Sequence, residues 1–267
     1  VVAIAIVNQK GGVGKTTVTL GLASAAYKQG VRTLVVDLDP QGNATSGLGV
    51  WNPEVGVDDA LLATEEGTIT DVVRHSSWRD GGWFVPAVAP ATPNLSVTEP
   101  LLQAEPRGAH LRLRRALTGT TYELVLIDCP PSIGMLTLNA LFAADAALVV
   151  TEPGAWSSDG VVRILQAIAR VAERREPPLR LAGIVCNRLG RTRDARYWYE
   201  HLQTEYPGQV LPPIHLRAAI PEASARSLPI HGTEGRPGAA EAAAEFDVLL
   251  SRLLQRGSGH ARVRPSA

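Results

Sequence analysis

The sequence is short of cysteine, of lysine and of long apolar runs, and each shortage narrows the field. Two cysteines, Cys129 and Cys186, in 267 residues exclude a disulfide scaffold, and no group of cysteines and histidines shows metal-ligand spacing. A reducing, cytoplasmic setting is expected. No apolar run reaches the 18 residues or so that a bilayer span requires, and the first residues lack the charged head and cleavage site of a secretory leader. Net charge is missing as well: 26 Lys and Arg balance 26 Asp and Glu, which argues against a basic histone-like protein or an acidic disordered tail. Lysine is the scarcest charge. Only Lys10, Lys15 and Lys28 occur, two of them in one glycine-rich loop, and arginine supplies the other 23 positive charges.

What is present is an ordinary globular composition, 45% apolar and 19% charged, enough to build a core. Charge is uneven along the chain. Up to residue 133 there are 10 basic and 13 acidic residues, and beyond it 16 basic and 13 acidic. Val1 to Val7 is nearly all apolar and β-branched, as a strand buried on both faces would be, and it runs into Asn8-Gln9-Lys10-Gly11-Gly12-Val13-Gly14-Lys15-Thr16-Thr17. A helix is predicted over 16–29 and a strand over 31–37. The alternation returns as a strand over 124–128, a helix over 135–143, a strand over 146–151, a helix over 158–173 and a strand over 179–187. The expected fold is α/β, a mostly parallel sheet with helices on both faces and ligands at the carboxyl ends of its strands. The stretch 49–106, with Pro53, Pro86, Pro90, Pro93 and Pro100 and short apolar runs such as Trp83-Phe84-Val85, is predicted to be an insertion packed on the sheet edge. Further helices are expected over 107–117, 194–206 and 239–255, which makes 1–255 one domain and 256–267 a flexible, arginine-containing tail.

A glycine-rich loop between a buried strand and a helix suits phosphate, because consecutive backbone N–H groups turn inward and the helix N-terminus adds positive potential. Gly11, Gly12, Val13, Gly14, Lys15, Thr16 and Thr17 form that cradle, with Lys15 expected on the β- and γ-phosphates and the Thr16 hydroxyl on Mg²⁺. The usual pattern has Gly six residues before the lysine. Here Gln9 holds that place and Lys10 follows.

Taken with Asp37-Leu38-Asp39-Pro40-Gln41-Gly42-Asn43 and Leu126-Ile127-Asp128-Cys129-Pro130-Pro131-Ser132, the loop resembles the deviant Walker A motif of the ParA/Soj partition ATPases, P-loop NTPases related to MinD. The resemblance implies ATP and Mg²⁺ as ligands and a homodimer that sandwiches ATP, with Lys10 reaching the phosphates bound by the partner. It implies that Asp39 orients the attacking water and that Asp37 and Asp128 hold Mg²⁺ through its water shell. Pro130, Pro131 and Gly134 become a γ-phosphate switch. Asn187 is placed at the adenine edge, and His215 and Arg217 stand where the family reads Pro-Arg-Asn. Non-specific DNA and a ParB-like stimulator are the implied partners, with a nucleoid-associated place in the cytoplasm and no stable membrane association.

Arg188, Arg191, Arg193, Arg196, Arg217 and Arg226 are the candidate DNA contacts, since arginines on one face meet phosphates without reading bases. An apolar stripe at Phe246, Leu249, Leu250, Leu253 and Leu254 fits core packing, or membrane contact of the MinD kind. A metabolic P-loop enzyme related to cobyrinate synthetases is the third reading, though the sequence carries no marker of its substrate site.

Overall fold

The computed structural model describes residues 2–78, 84–105, 107–154, 157–233 and 235–258, apart from the side chains of 157–159 and 257–258. Its elements in chain order are β1 (Val2–Val7), α1 (Lys15–Lys28), β2 (Thr33–Asp37), α2 (Asn43–Gly47), α3 (Val57–Leu62), α4 (Ile69–Val72), β3 (Arg74–His75), β4 (Ala87–Ala89) and α5 (Leu95–Ala104). There follow α6 (Arg112–Ala116), β5 (Leu124–Asp128), α7 (Met135–Ala143), β6 (Ala146–Thr151), α8 (Ser157–Ala172), β7 (Arg180–Cys186), α9 (Arg193–Glu205), α10 (Ala219–Ala225) and α11 (Ala239–Ser258). The sheet order is β3-β4-β2-β5-β1-β6-β7, and every pairing is parallel except β3 with β4. Helices cover both faces. Two apolar clusters result, one built around α7 and α8 and the other around α1 and α11. The strands read as continuous apolar runs because neither face meets water.

Helix α1 is buried from Val18 to Tyr27, and small residues such as Gly21, Ala23, Ala25 and Ala26 let it fit between the sheet and α11. The ring of Phe246 packs where a side chain on Gly21 would project. Phe246, Leu249, Leu250 and Leu253 are buried in that cluster and Leu254 packs against it, so the C-terminal stripe is a core face and offers nothing to a lipid surface.

Three expectations need correcting. The stretch 49–106 does lie at the sheet edge, but as part of the sheet and not packed on it: it supplies the edge strands β3 and β4 and α3, α4 and α5 around them. The helix expected over 107–117 is a short 3₁₀ turn at Ala109–Leu111 followed by α6, because Gly108 takes a left-handed conformation. Arg256, expected to begin the tail, lies in α11 and donates to the carbonyls of Ala182 and Gly208 at 2.8 and 3.1 Å. The rest of the expected tail, 259–267, lies outside the described residues, as does Trp83.

Candidate functional site

The carboxyl ends of β1, β2 and β5 converge on one cleft of about 440 Å³, within the usual range for small-molecule sites. Gly11, Gly12, Gly14, Lys15, Thr16 and Thr17 line it together with Asp39 and Pro131. Helix α1 opens without a capping side chain and without an acid in its first turn, so its first N–H groups remain free for an anion. Gly14, the residue before the helix, is left-handed at φ 89°. Val13, expected in the cradle, is fully buried beneath it.

Lys15 is 6% exposed. Burial lowers the pKa of its ammonium, with the nearby charges of Asp128 and Asp39 opposing the shift. Thr16 Oγ1 donates to Asp128 Oδ2 at 2.6 Å and Thr19 Oγ1 to Asp128 Oδ1 at 3.1 Å. Asp37 and Asp128 are register partners across β2 and β5, both fully buried. Burial raises both carboxyl pKa values, and the charge of Asp37 raises that of Asp128 further. Two adjacent buried acids beside a threonine hydroxyl form an oxygen donor set that favours a small hard cation. Among the described residues no group of three or more His, Cys, Asp and Glu side chains could hold a metal, so a cation here would need oxygens from a ligand as well.

Asp37 is not free in this arrangement. Its Oδ2 accepts the N–H and the hydroxyl of Thr45, at 2.8 and 2.7 Å, and its Oδ1 accepts the N–H of Asp39 at 3.1 Å. It fixes the start of α2 and turns Asp39 toward the cleft. Asp39 in turn accepts the N–H of Gln41 at 3.0 Å.

Lys10 points elsewhere. Its Nζ meets Glu152 Oε1 at 2.8 Å, and its backbone N–H donates to Asn8 Oδ1. Asn187, expected at the adenine edge, is buried beneath the loop with Nδ2 donating to the Val13 carbonyl at 2.9 Å. The next residue enters the cleft instead: Arg188, left-handed at φ 56°, donates from Nη1 to the Gly12 carbonyl at 2.7 Å. Arg188 thus stands apart from the other candidate DNA arginines. His215 and Arg217 are not among the cleft residues, because both side chains bind Glu245 of α11. Arg191, Arg193, Arg196 and Arg226 are exposed. The first three cluster at the start of α9.

Sequence reasoning did not single out Leu20, Ser46, Trp51 and Pro221, which with Asn43, Ser224 and Ala225 complete the cleft lining.

A parallel sheet with a glycine loop, an uncapped helix and Lys-Thr at its first residues defines a P-loop nucleotide-binding protein. Residues 1–181 match the AAA domain family model. Over 183 residues the chain is 44% identical to the chromosome-partitioning ATPase Soj of Thermus thermophilus, covering 68% of this chain and 67% of that protein. An uncharacterized protein of Mycobacterium tuberculosis is 35% identical over 260 residues, 95% of this chain and 78% of the relative. Among solved structures, the cobyrinic acid a,c-diamide synthase of Mycobacterium smegmatis with bound ATP analog and magnesium superposes with a TM-score of 0.78 at 28% identity, over 100% of this chain and 99% of that one. The chain belongs to the ParA/MinD-type P-loop partition ATPases.

Proposed function

We propose that this partition ATPase binds ATP with Mg²⁺ in the cleft and pairs with a second copy around the nucleotide. In that state it holds DNA without sequence preference, and it hydrolyses ATP slowly until a ParB-like partner stimulates it. Its place is then the nucleoid in the cytoplasm, and residues 1–255 act as one unit. The observation that carries the reading is the juxtaposition in one cleft of the uncapped α1 N-terminus, Lys15 and Asp39.

When bound, Mg²⁺ would screen the phosphate charge, and Thr16 and Asp128 would hold it. Lys15 and the N–H groups of 11–17 neutralise the phosphate oxygens, and the left-handed Gly14 lets the loop close around them. Asp39 is held by Gln41 through one carboxylate oxygen, and its other oxygen positions a water for attack. Lys10 completes the site only from a partner copy, which requires leaving Glu152. Arg191, Arg193 and Arg196 crowd the N-terminal end of α9, where the helix dipole is already positive and only Asp194 opposes them. Helix stability would favour acids there, and the concentrated positive potential suits a polyanion.

The likeness to a diamide synthase supports a second reading, a ligase that activates a carboxylate with ATP in the same cleft. One set of measurements separates them. ATPase activity that rises with DNA and needs no carboxylate substrate, an ATP-dependent dimer by light scattering, and loss of nucleotide binding in Lys15→Ala are the expected results. Unchanged ATPase activity in Lys15→Ala would sink the whole assignment. Retention of DNA by the Arg191, Arg193 and Arg196 triple alanine variant, unaltered across salt concentrations, would reduce that patch to solvation.

A further inference from the structure

The cleft extends beyond the phosphate loop to an end built by two distant segments, α2 with the residues after it and α10. Leu20, Ser46, Trp51, Pro221, Ser224 and Ala225 line this end, with Arg188 at its border. Ser227 Oγ donates to the Ser46 carbonyl at 2.7 Å and ties the two segments together. Unlike the phosphate end, this wall is largely apolar, and it carries the most exposed large apolar side chain among those described: Trp51, 66% exposed.

Trp51 is not left loose by its backbone. The chain leaving α2 is bonded residue by residue, Gly49 N–H to the Ser46 carbonyl at 2.9 Å and Val50 N–H to the Thr45 carbonyl at 3.1 Å, while the Leu48 carbonyl accepts the Ser77 N–H at 2.9 Å. Thr45 is itself anchored on Asp37. Immediately after Trp51, Asn52 adopts φ 49°, a left-handed conformation uncommon outside glycine and one that recurs at ligand clamps. The chain is thus fixed up to Val50, and the next residue presents an indole to water at the edge of a ligand cleft.

We infer that Trp51 is the face on which the base of the bound nucleotide stacks, an inference that rests on the nucleotide reading above. The phosphate loop fixes one end of such a ligand. The indole offers a planar π surface near it, and the guanidinium of Arg188, pinned to the Gly12 carbonyl, offers a second planar group. Pro221 and Ala225 add small apolar contacts without hydrogen-bonding groups of their own side chains. A planar heterocycle attached to a polyphosphate fits that combination. Because every base has a π face, stacking raises affinity without choosing among bases, so Trp51 contributes to the binding of ATP and GTP alike.

Binding of ATP, GTP and inorganic tripolyphosphate to the wild-type chain, Trp51→Ala, Trp51→Phe and Lys15→Ala tests this. Trp51→Ala is expected to weaken both nucleotides about tenfold, the effect of one lost base stack, and to leave tripolyphosphate unchanged. Trp51→Phe should stay within about threefold of wild type, while losing the change in indole emission that ATP produces in the wild-type chain. If the wild-type chain binds ATP through Lys15 and Trp51→Ala binds it equally well, the inference falls alone and the indole is left to a protein partner. If Trp51→Ala weakens tripolyphosphate as much as ATP, the residue acts through the fold and the inference also falls. A wild-type chain that binds neither ATP nor tripolyphosphate would instead remove the nucleotide reading itself.

Discussion

The two ends of the cleft are built in opposite ways. The phosphate end comes from consecutive residues, 11–17, on one strand-loop-helix unit, with charges and N–H groups aimed inward and Asp128 behind them. The other end is assembled from α2, Trp51 and α10, more than 150 residues apart in the chain, and is mostly apolar. Local sequence suffices to make a phosphate cradle, because backbone geometry does the binding. A base-sized pocket needs surfaces that only tertiary packing brings together, so it can vary while the cradle stays.

The sharpest way to break the first end is Gly14→Ala. Gly14 has φ 89°, and a Cβ there would fall 2.1 Å from Asn187 Nδ2, displacing the amide that holds the Val13 carbonyl at 2.9 Å. Left-handed strain and a lost buried hydrogen bond together cost about 2–4 kcal/mol. Tripolyphosphate and ATP should weaken together, by about a hundredfold, as isothermal titration would register. A variant that loses ATP but keeps tripolyphosphate would show that Gly14 serves the base end instead, and the contrast between the ends would be wrongly drawn.

Gly21→Ala strikes behind the second end and should do less. Its Cβ would stand 2.2–2.4 Å from three ring atoms of Phe246, which is fully buried. Ile220 and Ala223 of α10 border the same small space, so a shifted Phe246 ring pushes on the helix that carries Pro221, Ser224 and Ala225. Overpacking of this kind costs about 1–3 kcal/mol, and the melting temperature of a chain this size should fall by about 2–10 °C. At a temperature where the variant is folded, ATP should weaken by about a few-fold with tripolyphosphate unaffected. Equal losses for both ligands would mean that the two ends move as one body.

The same contrast explains what the sequence could and could not disclose. The parallel strands β1, β2, β5, β6 and β7 are long apolar runs, and the helices after them carry clear punctuation, so the α/β frame and the place of the loop were legible. β3 and β4 were not, because two and three residues, the latter bracketed by Pro86 and Pro90, are too short to show a period. Residue types at the phosphate end were readable, but their pairings were not. That Lys10 would meet Glu152, or Asn187 would brace Val13 while Arg188 entered the cleft, depends on contacts spanning 142 to 176 residues. His215 and Arg217 illustrate the limit of alignment by motif. An acid on α11, Glu245, claims both side chains, and nothing near them in the sequence announces it.

The smallest expected effect concerns the two cysteines at the carboxyl edge of the sheet, of which Cys186 lies at the seam between β7 and the phosphate loop. Cys129 is the first residue after β5 and Cys186 ends β7, one residue before Asn187; both are 1% exposed. Burial pushes the Cys129 thiol well up, with Asp128 adding to it, and pushes that of Cys186 up to about 12, with Glu152 adding. Since thiolate is the reactive form, neither should react with a thiol reagent at pH 8 in the native chain, and both should react in denaturant. The folded state keeps a proton on Cys186 that the unfolded chain releases near pH 9. Native protein therefore binds more protons than unfolded protein between pH 9 and about 12, and stability declines as pH rises through that window. The decline approaches about 1.4 kcal/mol per pH unit for each such thiol. Thermal melts from pH 8 to 10.5 should show this slope, and Cys186→Ala should flatten it. Native labelling of Cys186 at pH 8 would mean that the seam opens readily, in which case Asn187 does not brace the loop and the phosphate end is less rigid than its hydrogen bonds require.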